Sequence, residues 1–283
     1  MRILTLRVLK LYFRDKVAVF FSLLSSFIMI VLYIVFLSDT YTSSLSQIQG
    51  ASQLMNQWVM AGILATSSVS TTIATFSMMV EDRAKMIEKD FDCSPIHKKV
   101  LIFSYYIAGL IVGYVLSLIT LLFAQIYILY TGGNWFGWIT TFKIIMILFL
   151  VVIMNGSMMF YFTSFFKSHH AFSTATTLIG TLIGFMTGIY VPIGSLPEAL
   201  QWLIKLFPTS HGAALLRQIM METSMSTCFQ NVSDVFVTNF QETFGVFYSF
   251  GHVTLSSFSN ILYMIIFTFL FLGMTFYFVK RKD

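Results

Sequence analysis

The residues best suited to interact with a charged partner lie in one short stretch, residues 81–99, which reads EDRAKMIEKDFDCSPIHKK. It carries five acidic and five basic residues, ten of the 29 charged residues (17 basic and 12 acidic) in the chain. Residues 40–80 before it and residues 100–142 after it carry no charge. The balance of signs argues against binding to anionic lipid headgroups, which attract clusters of net positive charge. The remaining alternatives are a solvated loop and a docking surface for another protein.

The apolar residues of this stretch have helical spacing, i, i+3 and i+7: Ala84, Ile87 and Phe91. Glu81 and Lys85 have the i, i+4 spacing of a helical ion pair, and Pro95 predicts the end of the helix. The pattern predicts a short charged helix with one apolar stripe, a shape that fits a groove on a soluble protein. A plain solvated loop is equally compatible with it.

Residue patterns typical of enzymes are missing from the chain. It has no G-x-x-x-x-G-K-[ST] phosphate loop, no H-E-x-x-H and no G-x-S-x-G. His169 and His170 are too few to hold a metal ion and are expected in a solvated turn. The sequence therefore predicts neither catalytic nor metal-binding residues.

The composition indicates a protein that folds in lipid. Hydrophobic residues make up 57% of the chain, charged residues 10%, and the mean hydropathy is +0.81, whereas a soluble domain carries about 25% charged residues. The weakly charged windows predict an all-α integral membrane protein with six spans, near 17–37, 57–79, 100–130, 140–165, 171–191 and 259–279. Ionisable residues are absent from these spans except Lys143, near one end of the fourth. Energy for any transport against a gradient must then come from a partner.

The distribution of Lys and Arg predicts the orientation of the chain. With a cytoplasmic N-terminus, 14 basic residues lie inside and three outside: Lys143, Lys205 and Arg217. Both termini and residues 81–99 are then cytoplasmic, and residues 192–258 are external. Cys93 and Cys228 fall on opposite sides, too far apart for a disulfide.

The first 16 residues are predicted to form a basic amphipathic helix. Arg7, Lys10 and Arg14 recur at i, i+3 and i+7 with leucine and valine on another face. Such a helix lies in the inner membrane interface with its basic side toward the headgroups. The alternative is an ordinary extension of the first span.

Two short helices are predicted in the external segment. Ser195 and Glu198 have the spacing of a capping box, so a helix is expected from Leu196 to Phe207. Pro208 breaks it, and Thr209 or Ser210 begins a second helix that ends near Met221. The pair is expected either to dip back into the outer leaflet or to lie flat on the membrane. Residues 229–240 have phenylalanine and valine at helical spacing, which predicts one more external helix.

Three glycines of the fifth predicted span, Gly180, Gly184 and Gly188, are four residues apart. Small residues at this spacing allow close approach of helices. The face is expected to serve static packing or to line a pore.

Three segments of the chain resemble the membrane subunit of ABC exporters of the ABC-2 type. Residues 11–37, LYFRDKVAVFFSLLSSFIMIVLYIVFL, are similar to the family's basic amphipathic helix, R-D-K step and first span. Residues 81–101, EDRAKMIEKDFDCSPIHKKVL, resemble its loop between spans two and three. Residues 188–218, GIYVPIGSLPEALQWLIKLFPTSHGAALLRQ, resemble its segment before span six.

The resemblance assigns roles to these segments. It implies that the loop after span two is the coupling helix that docks on a separate ATPase, through Glu81, Asp82, Arg83, Ile87, Glu88 and Phe91. Residues 7–16 would form the connecting helix at the same interface. An external gate would include Pro192, Leu196, Pro197 and Pro208.

The resemblance also implies the assembly and its cargo. Two permease chains, identical or related, would work with two copies of a cytoplasmic P-loop ATPase that binds ATP and Mg²⁺, so this chain itself needs no cofactor. Membrane lipid is a further partner, nucleic acid is not, and the expected location is a bacterial cell membrane.

The cargo would be an amphipathic drug, antibiotic, toxin, peptide or lipid-like molecule. The length of residues 223–258 favours this branch over polysaccharide or teichoic-acid exporters. One rival hypothesis is a six-span channel or membrane scaffold without an ATPase. Another is an intramembrane enzyme, but the sequence contains no motif that supports it.

We expect Phe91→Ala to separate ATP hydrolysis from transport, because it removes an apolar contact of the predicted coupling helix. Transport by the chain reconstituted with its ATPase should fall about fivefold or more, the lower range of allosteric coupling, while hydrolysis continues. Normal coupled transport by a folded Phe91→Ala complex would contradict this.

Overall fold

The computed structural model describes residues 1–37, 48–230, 232–251 and 253–280. Within these ranges the chain is almost entirely helical, with a two-stranded antiparallel hairpin near its end. The elements are, in order, α1 (Arg2–Arg14), α2 (Lys16–Leu32) with a following π-turn (Tyr33–Leu37), α3 (Ala51–Ala84), α4 (Ile87–Asp92), α5 (Lys98–Tyr130), α6 (Trp138–Thr163), α7 (His169–Met186), a 3₁₀ turn (Ile193–Ser195), α8 (Glu198–Leu206), α9 (Pro208–Met220), α10 (Glu222–Cys228), α11 (Asp234–Thr243), β1 (Ser249–Phe250), β2 (Val253–Thr254) and α12 (Ser257–Lys280).

Helices long and apolar enough to cross a membrane account for five of the six predicted spans. In the described residues they are Lys16–Phe36, Ala51–Ala84, Lys98–Tyr130, Trp138–Thr163 and Ser257–Phe278. The remaining predicted span, 171–191, coincides with the 18-residue helix α7, which is not among them. Two histidines and several Ser and Thr residues dilute its hydropathy, and it ends at Met186, five residues earlier than predicted. Its membrane crossing therefore stays a prediction.

Helix α3 is the centre of the molecule. It is in contact with α2, α5, α6, α7 and α9, and most of its 34 residues are buried. Glycines in α5 bring that helix very close: a methyl group on Gly109 would lie 2.3 Å from the Phe76 ring, and one on Gly113 would lie 2.6 Å from Thr72. Close contact between small residues is the main source of cohesion between helices in lipid. At 1.5 Å per residue α3 is about 51 Å long, so it reaches both ends of the bundle.

A hydrogen-bonded cluster fixes the midpoint of α3. The Asn155 side-chain amide in α6 donates to Ser68 Oγ (2.6 Å) and to the Ala65 carbonyl (3.3 Å), and its oxygen accepts from Thr209 Oγ1 (2.7 Å). All three polar side chains are fully buried. The cluster therefore joins α3 and α6 to the first turn of α9.

Helices α8 to α11 cover the end of the bundle where α3 begins. Helix α9 is buried between α3, α6 and α12, whereas α8 leaves Trp202, Leu203 and Leu206 exposed. The bond from Thr209 to Asn155 places the junction of α8 and α9 beside the midpoint of α3. Helix α9 begins at Pro208 and not at a Thr209 or Ser210 cap, because proline is favoured at the first helical position.

The predicted capping box does not form. Ile193–Ser195 makes a separate 3₁₀ turn, Leu196 is extended with ψ 155°, and α8 begins only after Pro197 with no side-chain cap. The reason is that a residue before proline is driven out of the helical region. The helix predicted from Leu196 to Phe207 is thus shorter at both ends.

We expect Asn155→Leu to loosen the contact between α3, α6 and α9. The change leaves the buried hydroxyl of Thr209 without its acceptor, and we expect a loss of roughly 1–2 kcal/mol. The measurement is the melting temperature of the purified chain in mild detergent. Thr163→Val is the matched control, because the Thr163 hydroxyl bonds only to the Met159 carbonyl of its own helix. Equal melting temperatures for the two variants would show that the cluster does not stabilise the bundle.

Candidate functional site

Four segments meet where α3 ends, and one arginine joins them. Arg7 Nη1 of α1 lies 3.0 Å from Asp82 Oδ2 at the end of α3, and its guanidinium lies 5.4 Å from the centre of the Phe91 ring in α4. The Tyr105 hydroxyl of α5 donates to the same Asp82 oxygen. We call Arg7, Asp82, Phe91 and Tyr105 the charged node. It combines an ion pair with a cation–π contact in a half-buried position, where both are stronger than in water.

The sequence of the N-terminus explains why α1 lies against the node. Val8 and Tyr12 are buried against α5, and the Tyr12 hydroxyl is 2.7 Å from Ser22 Oγ in α2. The predicted helix over residues 1–16 is present as Arg2–Arg14. Asp15 then accepts hydrogen bonds from the backbone N–H groups of Val17 and Ala18, which caps α2 and turns the chain.

Only part of the predicted basic face of α1 is free. Lys10 and Arg14 are exposed, as a face directed at headgroups requires, whereas the head of Arg7 is held in the charged node. Arg7 thus belongs to an internal contact, because Asp82 and Phe91 offer it a carboxylate and an aromatic face at once.

The helix predicted over residues 81–92 is interrupted. Helix α3 ends at Ala84, α4 begins at Ile87, and Met86 between them has φ 62°. A positive φ is uncommon for a residue other than glycine and carries strain. The predicted stripe of Ala84, Ile87 and Phe91 on one helix is therefore wrong. Phe91 is half-buried against the core and beside Arg7, whereas the large apolar side chain of Met86 at the turn is 60% exposed.

Ion pairs close this turn. Arg83 Nε lies 3.2 Å from Glu88 Oε2 across the break, and Lys85 Nζ pairs with Glu81 within the last turn of α3. Ile87 is half-buried, while Lys89 and Asp90 of α4 are exposed.

The structure thus separates the six predicted contact residues into two groups. Asp82 and Phe91 are brought together in the charged node, and the other four line the turn beside Met86: Glu81, Arg83, Ile87 and Glu88. Sequence reasoning missed Met86 and Tyr105. Tyr105 lies in an uncharged span, and no sequence signal marks a methionine for the left-handed conformation.

A second arginine is buried at the opposite end of the bundle. Arg217 of α9 is fully buried, and its guanidinium lies 4.7 Å from the centre of the Trp58 ring in α3. It donates to the carbonyls of Thr187 (2.9 Å), Gly188 (3.4 Å) and Gly245 (3.3 Å). The sequence counted Arg217 among the external basic residues but did not predict that its side chain is fully buried.

The three carbonyls that hold Arg217 belong to helix ends. Thr187 and Gly188 follow α7, Gly245 follows α11, and both glycines have the positive φ of a helix C-terminal turn (68° and 61°). Because the C-terminus of a helix carries partial negative charge, two such ends can balance one buried cation. Burial lowers the pKa of the Arg217 guanidinium to about 10, so it is charged at neutral pH.

His211 fastens α9 to two further helices. Its Nδ1 lies 2.7 Å from Asn260 Oδ1 in α12, and its Nε2 lies 2.8 Å from the Lys205 carbonyl oxygen in α8. The ring stacks on Tyr263 at 4.0 Å, and burial lowers the pKa of the imidazole. His211 therefore links α9 to α8 and α12, in addition to the contact of Thr209 with α6.

Comparison with known proteins adds one decisive finding. The family model described as "ABC-2 type transporter" matches residues 1–221, which include α1 to α9, the charged node and Arg217. The chain belongs to the ABC-2 type transporter family. A search of curated proteins finds no match.

Membership of this family defines the general role of the chain. An ABC-2 membrane domain is the permease of a transporter and is not itself catalytic, and ATP hydrolysis generally takes place in partner subunits. Such domains generally work with ATPase subunits and dimerise. Together with its apolar helices, the match makes this ABC-2 chain a multi-pass membrane protein.

The predicted gate residues of the ABC-2 chain lie around the start of α8 and α9. Pro192 precedes the 3₁₀ turn, Leu196 and Pro197 separate it from α8, and Pro208 opens α9. They mark the ends of the short elements, where the chain changes direction.

The spacing of the three glycines predicted that they share one helical face. The structure does not show such a face. A methyl group on Gly180 would meet nothing within 4 Å, whereas one on Gly184 would lie 2.2 Å from the Tyr190 ring. Gly188 lies beyond the end of α7 and contributes its carbonyl to Arg217. The helix ends at Met186 because Gly188 adopts the left-handed conformation that terminates it.

We expect Arg217→Met to destabilise the chain by about 3–5 kcal/mol, because it leaves buried helix-end carbonyls without a donor. Arg217→Lys keeps the charge but loses the planar fork, so its effect should be intermediate. Thermal unfolding in detergent measures both. Arg14→Met, which removes an exposed arginine from α1, is the control and should leave the melting temperature unchanged. A melting temperature of Arg217→Met equal to that of Arg14→Met would refute the role of the buried cation.

Proposed function

We propose that this ABC-2 chain is the permease subunit of an ATP-driven exporter, and that the turn between α3 and α4 is where a separate ATPase docks. The observation that carries the proposal is the charged node. It joins the short helix α4 to α1, α3 and α5 through one arginine. A displacement of α4 by a bound partner would thus be transmitted to α1, α3 and α5 together.

The surface at this turn supports protein docking. Met86 offers an exposed apolar side chain at the tip, and charges of both signs surround it: Glu81, Lys85, Glu88, Lys89 and Asp90. An apolar anchor inside a polar rim is typical of a protein interface. In this proposal the nucleotide and its Mg²⁺ are bound by the ATPase subunits.

The proposed orientation places both termini and the charged node in the cytoplasm of a bacterial cell. It rests on the excess of Lys and Arg on that side. The α8–α9 hairpin would then enter the membrane from outside as a re-entrant pair. Its junction beside the midpoint of α3 supports this arrangement.

Helix α7 supports a proposal for the dimer. Its exposed side carries Leu178, Leu182 and Phe185 beside Gly180, which has open space around it. A second permease chain, identical or related, would cover this face, and α7 would be the sixth span. The substrate path would lie between the chains, near α3 and α7.

The proposed cargo is an amphipathic molecule: a drug, antibiotic, toxin, peptide or lipid-like compound. Movement would follow alternating access or lateral extrusion from the inner leaflet. ATP-driven dimerisation of the ATPase would press on α4, close the inner side and open the outer side around α8 and α9.

We expect Met86→Asp to release the ATPase. A charge at the apolar centre of an interface costs about 2 kcal/mol or more, or at least a thirtyfold loss of affinity. The experiment is a pull-down of the full chain from its native membrane in mild detergent, with partners identified by mass.

His97→Asp is the matched control, because it adds the same charge to an exposed residue of the same connection. The wild type and His97→Asp should retain a P-loop ATPase that Met86→Asp loses. A wild-type preparation with no ATPase would overturn the proposal in favour of a channel or scaffold. Equal retention by all three chains would place the docking surface elsewhere.

A further inference from the structure

A cavity of about 470 Å³ lies at the end of the bundle where α6 and α12 begin. Its size is in the range of small-molecule binding sites, roughly 300–1,000 Å³. Five of its lining residues are aliphatic: Ile147, Leu215, Ile219, Val246 and Ile261. Such a surface suits a hydrocarbon chain.

A hydrogen-bonded side chain braces one wall of this cavity. Gln218 of α9 donates to the Val246 carbonyl (2.7 Å) and accepts from Ser257 Oγ at the start of α12 (2.7 Å). These bonds hold the loop after α11 and the start of α12 at fixed distances from α9. The cavity is therefore preformed, which lowers the cost of binding.

Two oppositely charged side chains lie at the edge of the cavity. Lys143 Nζ of α6 and Glu222 Oε2 of α10 are 3.9 Å apart, both side chains are more than half exposed, and both line the cavity. At this distance the two groups are not hydrogen-bonded to each other. Each can bond a ligand group of opposite charge, so together they suit a zwitterion.

Aromatic residues next to Lys143 place the cavity at a membrane interface. Trp138 begins α6 one and a half turns before Lys143 and is 87% exposed, and Trp135 is exposed just before it. Exposed tryptophans at the start of a membrane helix are typical of the headgroup level. The neighbouring surfaces of α6 and α12 expose Phe142 and Leu262, as lipid-facing surfaces do.

We propose that this cavity binds a zwitterionic phospholipid of the surrounding membrane, with a primary amine on Glu222, a phosphate on Lys143 and one acyl chain along the apolar floor. The proposal does not depend on the cargo or on the ATPase. It is argued from the charged edge, the apolar floor and the interfacial depth of the same cavity.

The experiment counts bound lipids on the purified full chain by native mass spectrometry. The chain is offered an equal mixture of phosphatidylethanolamine and phosphatidylglycerol with identical acyl chains, so only the headgroup differs. We expect one phosphatidylethanolamine to bind with about a two- to fivefold preference, the range of a partly exposed charge pair.

Variants at the edge and the floor test the two parts of the site. Lys143→Gln/Glu222→Gln should abolish the headgroup preference, while the charge-exchanged Lys143→Glu/Glu222→Lys should keep it because it preserves the pair. Ile219→Trp should lower the retention of both lipids by filling the floor. Lys167→Gln/Asp234→Asn is the matched control, since it removes one exposed charge of each sign outside the cavity lining and should leave lipid binding unchanged.

The outcomes separate the possible ligands. A wild type with no headgroup preference, or a preference that survives the Lys143→Gln/Glu222→Gln change, would overturn the proposal. Displacement of the bound lipid by water-soluble glycerophosphoethanolamine at equal concentration would also overturn it, because the apolar floor would then contribute nothing. The charge-exchanged variant should melt at the same temperature as the wild type. This would verify that the two charges were exchanged without loss of the fold.

Discussion

The close packing around α3 is the constraint on which the rest of the structure depends. In lipid, apolar side chains gain little by leaving their surroundings, so helices are held together by close contact and internal hydrogen bonds. Helix α3 meets this condition with small residues and with hydroxyl groups that bond back to its own carbonyls, as Thr66 and Thr71 do. These hydroxyl groups are thus satisfied without water, and the helix can be enclosed on most sides.

Because α3 is buried along its length, it connects two contacts that lie far apart. At one end Asp82 is bound to Arg7, and near the other end Trp58 lies against Arg217 and donates to the Phe244 carbonyl (2.7 Å). Both arginines use an aromatic face together with oxygen acceptors. A shift of α3 along its axis would disturb both contacts together. One rigid helix can in this way transmit a displacement from one end of a permease to the other.

The sequence predicts the limits of three long helices well and the turns poorly, whereas α3 begins six residues before and ends five residues after its predicted span, 57–79. A membrane-spanning helix needs an uninterrupted apolar run, so α5, α6 and α12 begin and end within two residues of their predicted limits. Turns are decided by local competition and by packing. The capping box at Ser195 fails because Pro197 forces Leu196 to be extended, and the break at Met86 is a left-handed residue that no residue type announces.

The same reasoning explains which site residues the sequence could provide. The charged stretch is visible because charge is rare in this chain, so the region of Asp82 and Phe91 is found at once. The direction in which Phe91 points is not visible, because it depends on Arg7, about 80 residues away in the chain. The burial of Arg217 is not visible for a similar reason: its acceptors are backbone carbonyls, which every sequence contains.

The acceptors of Arg217 also bear on how the α8–α9 end could move. A carboxylate partner would hold a buried arginine with strong, directional bonds that are costly to break. Here the charge is shared by three neutral helix-end carbonyls: the bond to Thr187 is 2.9 Å long, and those to Gly188 and Gly245 are longer, 3.4 and 3.3 Å. Because these carbonyls belong to α7 and to α11, a rearrangement of either helix end changes the balance at the cation. Arg217 therefore joins α7, α9, α11 and α3 with contacts that can be redistributed, as the proposed outer gate around α8 and α9 would require.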